Sequence, residues 1–356
     1  MRARARINLN ALKHNLQQVR QLAPDSRVMS VIKANAYGHG LLKVAGALGE
    51  SDAFAVASIE EALQLRKAAV TKRIVILQGV IDRDELILAA ENNLDMVVHC
   101  EEQLRLLNEV ELTGGVDVWL KVDTGMHRLG IHPARVAPVY AGLEQSANVT
   151  NIRLMSHFAN ADNPDDGLTA RQLQILSETA GDIKAEKTIA NSAGICVLPD
   201  CNLDWVRPGI MLYGINPFQY GRQCSCVLQP AMTVSSRFIA INNTGKGESV
   251  GYGGTWTCPK DMSVGVVAIG YGDGYPRHAR TGTPVLVNGQ RLPLVGRVSM
   301  DMICVDLSDC PQARVGDEVV LWGDGLPVEE VAECAGTIGY ELVCKLTERV
   351  LFEYYN

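Results

Sequence analysis

The sequence predicts an α/β fold in which an amino-terminal (β/α)8 barrel of the TIM type precedes a mainly-β domain. Three observations support it. Short apolar runs alternate with amphipathic stretches up to about Gly209, polar residues follow the ends of those runs, and the pattern changes beyond about Cys226. An open doubly wound sheet is the competing interpretation. The 356 residues suffice for two units, which we place at 1–225 and 226–356.

Eight apolar or alternating runs are the predicted barrel strands. They occupy residues 28–32, 53–57, 74–77, 96–98, 116–122, 152–156, 188–190 and 205–206. Between these runs, apolar residues recur at a spacing near 3.6, as at Leu173, Leu176 and Ala180, and this period predicts helices. Eight such strand–helix units are the number that closes a barrel.

The chemically reactive side chains of the first unit come at, or just after, the end of a predicted strand. They are Lys33, His99, Asp123, His157, Asn191, Ser192 and Arg207. A parallel barrel assembles its active site at the carboxyl ends of its strands. This placement favours the barrel over the open sheet, and it predicts that these side chains share one site.

Residues 31–40 place a lone lysine, Lys33, at the end of an apolar strand and directly before a turn broken by glycines. A lysine is a nucleophile only when its amine is neutral, and partial desolvation at the mouth of a barrel lowers the amine pKa. The segment therefore suits a covalent catalyst, although a solvated lysine that ends a strand is the alternative interpretation.

Beyond about Cys226 the sequence becomes alternating and rich in glycine, as in residues 232–235 and 263–267. Period-two alternation is typical of strands with one buried face. The change predicts a separate β domain, which we expect to join the barrel tightly around residues 215–230.

Turn and helix signals within this second unit are few. Asn288 and Gly289 stand between two apolar runs, a pattern typical of a two-residue hairpin. Only residues 328–335 and the stretch from Tyr340 onward are predicted to be helical.

Net charge and leader signals limit the classes of partner. The net charge is −7, which argues against nucleic acid or an anionic membrane as the main partner. The basic start of the chain lacks the apolar segment of a signal peptide, and no apolar run has the length of a membrane span. We therefore expect a cytoplasmic protein.

The ten cysteines are scattered without a CxxC pair, and Cys224 and Cys226 are the closest two. This spacing indicates neither a zinc ribbon nor a dense disulfide framework, so a reducing compartment is expected. His127 and His132 are five positions apart with a proline directly after, which does not suit a metal pair. No metal site is predicted.

Eight segments, taken in order along both units, carry a resemblance to a known family. They are residues 31–40, 121–130, 156–158, 191–192, 206–210, 250–254, 296–301 and 339–342. Together they resemble alanine racemase, a barrel-fold family that uses pyridoxal phosphate (PLP). The resemblance implies an isomerase that interconverts L-alanine and D-alanine.

The resemblance implies four catalytic residues. Lys33 would hold PLP covalently and act as one proton carrier, and Tyr252 would be the second carrier on the opposite face of the substrate. His157 and Arg207 would be linked to Tyr252 by hydrogen bonds. Arg207 would also face the pyridine nitrogen, where a guanidinium can only donate a hydrogen bond.

The resemblance also implies where the cofactor phosphate binds. Hydroxyl and backbone N–H groups of the late barrel loops would hold it, as is typical of this fold. The residues concerned are Tyr37, Ser192, Gly209, Ile210 and Tyr340. A second glycine-rich run, residues 270–274, lacks the lysine of a phosphate loop, and we interpret it as a turn.

The substrate carboxylate would contact Arg128 and the backbone N–H of Met300. Lys121 matches a lysine that many family members carbamylate to orient that arginine, and a solvated strand lysine is the alternative. The family forms homodimers in which Tyr252, Met300 and Asp301 cap the barrel mouth of the partner subunit, so shared active sites are expected.

Two other functions remain as alternatives. One is a broad-specificity amino-acid racemase of the same fold, although its periplasmic forms carry signal peptides. The other, from a different class, is a non-catalytic PLP-binding protein that resembles the barrel half alone. A decarboxylase of this fold would place a carboxylate where Arg207 stands. Whether D-alanine serves peptidoglycan synthesis or alanine catabolism is left open by the sequence.

Overall fold

The structure is a computed structural model that describes residues 3–218 and 224–356. The chain starts with strand β1 (Arg4–Asn8) and helix α1 (Leu9–Leu22). Asn8 caps this helix, since its side-chain oxygen accepts hydrogen bonds from the amides of Asn10 and Ala11.

Eight parallel strands close into a barrel. They are β2 (Arg27–Val31), β3 (Ala53–Val56), β4 (Arg73–Ile76), β5 (Asp95–Val98), β6 (Val116–Lys121), β7 (Val149–Met155), β8 (Lys187–Thr188) and β9 (Trp205–Val206). All residues of β3 and β5 are buried, as expected for strands covered on both faces. The predicted barrel is confirmed, and the open sheet is excluded because β9 pairs with β2.

The barrel strands alternate with helices. These are α2 (Lys33–Tyr37), α3 (Leu41–Ala47), α4 (Ile59–Lys67), α5 (Arg83–Glu91), α6 (Glu101–Glu109), α7 (Pro133–Gln145), α8 (Leu168–Ala180) and α9 (Ser192–Val197). The short α2 segment is not a regular right-handed helix, because its residues 34–37 have positive φ. The carboxyl ends of the strands and the loops that follow them form the barrel mouth.

The second unit is built on a sheet of mostly antiparallel strands. Its elements are β10 (Met232–Thr244), β11 (Ser249–Val250), β12 (Trp256–Thr257), β13 (Met262–Val267), β14 (Pro284–Val287), β15 (Gln290–Val295), β16 (Ile303–Asp306), β17 (Glu318–Trp322), α10 (Val328–Cys334), α11 (Gly339–Cys344) and β18 (Leu351–Tyr355). Asn288 and Gly289 both have positive φ, at 50° and 78°, which confirms the predicted hairpin turn.

The prediction of a helical end to the chain is only partly right. The helix at Tyr340 ends at Cys344, and residues 351–355 instead form β18. This strand pairs in parallel with β1, which in turn pairs antiparallel with β10. Backbone groups along β1 would lack hydrogen-bond partners on one side without β18, and this favours a strand over a helix.

Strand β1 belongs to the second sheet although it precedes the barrel in sequence. The division of the chain between residues 225 and 226 stays a prediction. A single cut at that point would assign β1 to the first unit, although β1 lies in the sheet of the second. Part of the expected junction, residues 219–223, lies outside the described residues.

Charged side chains form a paired network at the amino-terminal ends of the strands, which we call the barrel base. Arg153 contacts Asp117 at 2.9 Å and Glu186 at 2.7 Å. Arg73 bridges Asp117 and Asp95. Trp119 donates to Asp95 at 2.8 Å, and Trp205 donates to Glu186 at 3.0 Å. The charges are therefore matched and hydrogen-bonded within the core.

In the described part of the chain, no helix is long and apolar enough to cross a membrane.

Candidate active site

The segment after Lys33 has an unusual backbone. Ala34, Asn35, Ala36 and Tyr37 all have φ between 51° and 54°, so they form a left-handed turn made without glycine. Each such residue costs about 1–2 kcal/mol relative to the right-handed conformation. Asn35 holds the turn: its side-chain oxygen accepts from the Leu41 amide at 2.8 Å, and its own amide donates to Glu61 at 3.1 Å.

Strain of this kind persists where the surroundings hold it, and it is common at active sites. The sequence predicted a turn at the glycines Gly38 and Gly40, but the turn begins four residues earlier than Gly38. Asn35 is the one residue of the four whose type signals this conformation.

Four cationic side chains meet at the barrel mouth, namely Lys33, Lys121, Arg128 and Arg207. Burial, followed by the charge of Arg128, lowers the pKa of the Lys33 amine. Burial and the charges of Arg207 and Arg128 lower the pKa of Lys121 to about 8. No salt bridge joins any of the four to a carboxylate among residues 3–218 and 224–356. The mouth therefore has an excess of positive charge that suits anions.

Arg207 is buried, and hydrogen bonds from both of its terminal nitrogens hold the side chain in place. Nη1 donates to the Thr188 hydroxyl at 2.6 Å, while Nη2 donates to the Ser156 carbonyl and lies 3.2 Å from His157 Nδ1. Burial lowers the pKa of Arg207 to about 10, so the side chain stays charged at neutral pH. No hydrogen bond from Nε to a described residue is formed, so the Nε–H is available as a donor to a ligand.

The contact with Arg207 sets the protonation state of His157. Since a guanidinium can only donate, Nδ1 of His157 accepts, and the ring proton resides on Nε2. Burial and the charge of Arg207 lower the pKa of His157 well below its usual range. The imidazole is therefore neutral and presents Nε2–H as a donor.

Sequence reasoning missed a buried positioning residue, Gln172 on α8. Its amide nitrogen donates to the His157 carbonyl at 3.0 Å and to Thr124 Oγ1 at 3.1 Å, and its oxygen accepts from the Ala159 amide. Leu176 lies one helical turn further along the same buried stripe. A polar residue on that stripe is the signal that could have identified Gln172.

A second cluster lies at the start of α9. Ser192 Oγ accepts from the amides of Gly209 at 2.9 Å and Met211 at 3.4 Å. The Tyr37 hydroxyl reaches so close to Gly209 that a Cβ there would lie 2.6 Å from it. Burial raises the pKa of Tyr37, which keeps its hydroxyl protonated as a donor.

Ile210 follows Gly209 and is buried, and the Tyr340 ring lies 6.1 Å from that of Tyr37. The structure thus brings together the five residues predicted to bind phosphate. The glycine is needed here for space, because any larger residue would displace the tyrosine hydroxyl. Hydroxyls and backbone amides without an opposing carboxylate form a donor set that fits a phosphate group.

Arg128 lies on an exposed loop that Asp123 organises. The Asp123 carboxylate accepts from the amides of Gly125 and His127, both at 3.0 Å, and it contacts the His127 ring at 3.0 Å. Asp123 therefore holds the loop that carries Arg128, and its place in the predicted site stays a prediction. His99, also at a strand end, forms a hydrogen bond with the Gln78 carbonyl at 3.0 Å, and burial together with the charge of Lys121 lowers its pKa.

Tyr252 and Met300 lie on the second unit. Their exposed fractions are 71% and 52%, and no hydrogen bond in the described residues joins either one to the barrel mouth. Their loops touch each other, because Gly253 packs against the Arg297 side chain. The Gly272 amide donates to the Met300 carbonyl at 2.8 Å, so residues 270–274 form the turn that the sequence predicted.

A cavity of about 1130 Å³ opens beside the mouth. His157, Asn191 and Tyr340 line one side of it, and Cys224 and Cys226 line another. Lys33 is not among the residues that line this cavity. The cavity therefore lies beside the site and shares some of its residues.

Two family models match the chain. The model for the alanine racemase N-terminal domain covers residues 7–217, and the model for the C-terminal domain covers residues 231–354. Together they span both units of the fold.

Curated relatives match along nearly the whole length. Alanine racemase of Vibrio cholerae is 52% identical over 99% of this chain and 98% of its own, and that of Coxiella burnetii is 49% identical with the same coverage. The crystal structure of biosynthetic alanine racemase from Pseudomonas aeruginosa has a TM-score of 0.96 at 44% identity, and covers 100% of this chain and 99% of that one. The chain therefore belongs to the alanine racemase family.

Proposed function

We propose that the protein is a PLP-dependent alanine racemase, which interconverts L-alanine and D-alanine. The observation that carries this proposal is the cationic mouth, where Lys33 lies near Arg128 and the Arg207–His157 pair. The names of the full-length relatives support the choice of alanine.

The phosphate of the cofactor would bind at Tyr37, Ser192, Gly209, Ile210 and Tyr340. The two backbone amides and three hydroxyls of these residues are potential donors, although the Gly209 amide donates to Ser192 Oγ in the structure. When bound, PLP withdraws electrons from the Cα of the amino acid, which makes the α proton acidic.

Lys33 would link the cofactor and then carry one proton. Its lowered amine pKa increases the neutral fraction at neutral pH, and a neutral amine is required both to attack an aldehyde and to accept a proton. Because the same group would reach only one face of the substrate, it could not invert the configuration alone.

Arg207 would tune the reaction through its free Nε. A donor that never gives up its proton keeps the pyridine nitrogen unprotonated, which weakens electron withdrawal by the ring. By donating a hydrogen bond without transferring its proton, Arg207 would favour racemisation over transamination.

The second proton carrier would be Tyr252 of the partner subunit in a homodimer. The Tyr252 side chain is exposed in the single chain, and the neutral His157 offers an Nε2–H that could stabilise the deprotonated phenol. A two-fold dimer would build two such composite sites.

Arg128 and the Met300 amide would bind the substrate carboxylate. Lys121, with its pKa lowered to about 8, would exist partly as a neutral amine able to react with carbon dioxide. The resulting carbamate would carry a negative charge and orient Arg128. We expect a cytoplasmic protein that supplies D-alanine for peptidoglycan or serves alanine catabolism.

The test of this function is the loss of optical rotation from L-alanine, run across a panel of amino acids. We expect alanine to be the preferred substrate and Lys33→Ala to abolish both turnover and the visible absorption of the bound cofactor. Equal turnover of many amino acids would favour a broad-specificity racemase. An undiminished absorption band in Lys33→Ala would place the linkage elsewhere.

Subunit exchange tests the shared site. Lys33→Ala and Tyr252→Phe should each be nearly inactive alone, while a mixed dimer would contain one barrel with Lys33 facing an intact tyrosine. Random exchange makes about half of the dimers mixed, each with one good site of two, so roughly a quarter of the activity should return. No recovery after verified exchange would assign Tyr252 to its own chain.

A further inference from the structure

Three cysteine sulfurs meet between α9 and the segment that leads to β10. Cys196 and Cys224 form a disulfide, and the Cys226 sulfur lies 3.2 Å from that of Cys224. All three sulfurs lie within 4.8 Å of one another. The Ser225 hydroxyl donates to the Cys196 carbonyl at 3.3 Å, which ties the two segments together again.

The cluster differs from a structural disulfide framework. Among the described residues, the other cysteines are free, and the spacing of the cysteines in the sequence predicts no framework. Isolated disulfides in reducing compartments are usually transient and redox-sensing. A free thiol in contact with a disulfide sulfur is also the arrangement that thiol–disulfide exchange requires.

Small reagents can reach the cluster through the cavity beside the barrel mouth. Cys224 and Cys226 line this cavity and are partly exposed, whereas Cys196 is buried behind them. The accessible pair would therefore react first, and the buried cysteine would react from within the protein.

We propose that Cys196, Cys224 and Cys226 form a thiol–disulfide exchange site that reacts with small thiols and disulfides of the glutathione class. The site is separate from the racemase chemistry, and the proposal stands whether or not the protein racemises alanine.

Oxidation would take two steps. The Cys224 thiolate attacks a sulfur of glutathione disulfide, which forms a mixed disulfide and releases one glutathione thiolate. The Cys196 thiolate then attacks the Cys224 sulfur, forms the protein disulfide and releases the second glutathione. The protein loses two electrons and two thiol protons, and glutathione disulfide gains them to become two thiols.

Cys226 would act within the oxidised site. Its thiolate attacks the Cys224 sulfur, forms a Cys224–Cys226 bond and releases Cys196 as a thiolate, with no external oxidant. Burial raises the pKa of the Cys226 thiol, so only a small fraction is ionised at neutral pH. The exchange rate should therefore rise about tenfold per pH unit below that pKa, as the thiolate fraction does.

Peptide mapping tests the proposal. The holoenzyme is equilibrated with mixtures of reduced and oxidised glutathione, quenched in acid, alkylated and digested. We expect the Cys196–Cys224 link to form and disappear with the glutathione ratio. In Cys196→Ser we expect a Cys224–Cys226 link, and in Cys226→Ser we expect the Cys196–Cys224 link alone.

Cys334→Ser is the matched control, because Cys334 is a partly exposed free cysteine outside the cluster. Its mapping should equal that of the unmodified protein. A disulfide that persists at every ratio would be structural and would overturn the proposal, as would three cysteines that stay alkylatable throughout. Tight retention of zinc by the reduced protein, with no glutathione reactivity, would assign a metal site instead. If Cys196→Ser does not fold, Cys226→Ser still tests the exchange.

Discussion

The two ends of the barrel hold charged side chains in opposite arrangements. At the base, three arginines are paired with three carboxylates, and Trp119 and Trp205 donate to two of these carboxylates. The arginines are Arg73, Arg153 and Arg27, which pairs with Glu186, and the carboxylates are Asp95, Asp117 and Glu186. At the mouth, four cations converge without a carboxylate partner in the described residues, and the pKa values of both lysines are lowered. The same eight strands therefore carry one neutralised end and one positively charged end.

The difference separates structural charge from functional charge. A buried charge that is paired and hydrogen-bonded on all sides has no capacity left for a ligand. Unpaired cations lower the stability of the empty protein, but they lower it less once an anion binds. The mouth is therefore the end that should respond to the cofactor and substrate, and substitutions at the two ends should affect different properties.

The largest expected effect is at the mouth, in Arg207→Glu. Racemisation should fall by about 10³-fold, or about 4 kcal/mol of transition-state free energy, because a carboxyl can protonate the pyridine nitrogen where the guanidinium cannot. Conversion of alanine to pyruvate should rise, and it can be followed with a coupled dehydrogenase assay. Arg207→Lys retains a cationic donor and is the control. An unchanged rate of pyruvate formation would contradict this account of Arg207.

At the base, Arg153→Met should lower the free energy of unfolding by about 2 kcal/mol, because Asp117 and Glu186 both lose a buried, charge-assisted partner while keeping their other hydrogen bonds. Turnover per folded molecule should stay unchanged. Urea unfolding and active-site titration measure the two quantities. The control is Arg135→Met, which breaks an exposed pair with Glu101 and should cost less than about 1 kcal/mol. A loss of turnover in folded Arg153→Met would remove the distinction between the two ends.

The stability of the two ends should depend on pH in different ranges. Burial alone would raise the pKa of Glu186, but hydrogen bonds from Trp205 and two arginines lower it to about 2. The folded form therefore binds fewer protons than the unfolded one below the ordinary carboxyl pKa, and this stabilisation is lost as pH falls toward 2. Lys121 has a folded pKa of about 8, so its charge destabilises the fold at neutral pH and this penalty disappears as pH rises toward 10.5.

Unfolding of the cofactor-free protein at several pH values checks both signs. Glu186→Gln should destabilise the protein at neutral pH and less so near pH 3, since the carboxylate is then being protonated. Lys121→Met should stabilise it at neutral pH and less so near pH 10. If the stabilisation by Lys121→Met grew as the pH rose, the charged form of Lys121 would not be destabilised in the folded state.

The smallest expected effect concerns the left-handed turn after Lys33. Ala34 is exposed and has φ 53°, so Ala34→Gly should raise the free energy of unfolding by about 1 kcal/mol. Ala170→Gly, at an exposed position of α8, should instead lower it by about 1 kcal/mol. Thermal unfolding of both variants measures the difference. Destabilisation of the same size in both would mean that Ala34 is not left-handed.

Much of the barrel could be predicted from sequence because strands buried on both faces leave uninterrupted apolar runs. Residues 53–57 and 96–98 are of this kind. Their bounds differ from those of β3 and β5 by a residue. A polar residue directly after an apolar run was equally easy to recognise in the sequence, and this signal identified Lys33 and Arg207.

Long-range pairing and backbone conformation were not predictable in the same way. Residues 351–355 were predicted to be helical, but they form a strand. The strand with which they pair, β1, lies almost the whole chain away, so no local pattern indicates the pairing. The left-handed turn at Ala34 is imposed by contacts such as that of Asn35 with Glu61, and no local propensity predicts it. Whether Tyr252 and Met300 reach a second mouth depends on a partner subunit and stays a prediction.

The position of β1 between β10 and β18 has a consequence for how the chain is made. On the ribosome β1 emerges before both of its neighbours in the sheet, which follow only after the barrel has been synthesised. Until then β1 presents unpaired backbone groups on both sides, which is the form of strand most prone to pairing with other chains. Protection of the nascent chain should therefore matter most in the interval between the synthesis of Asn8 and of Leu351.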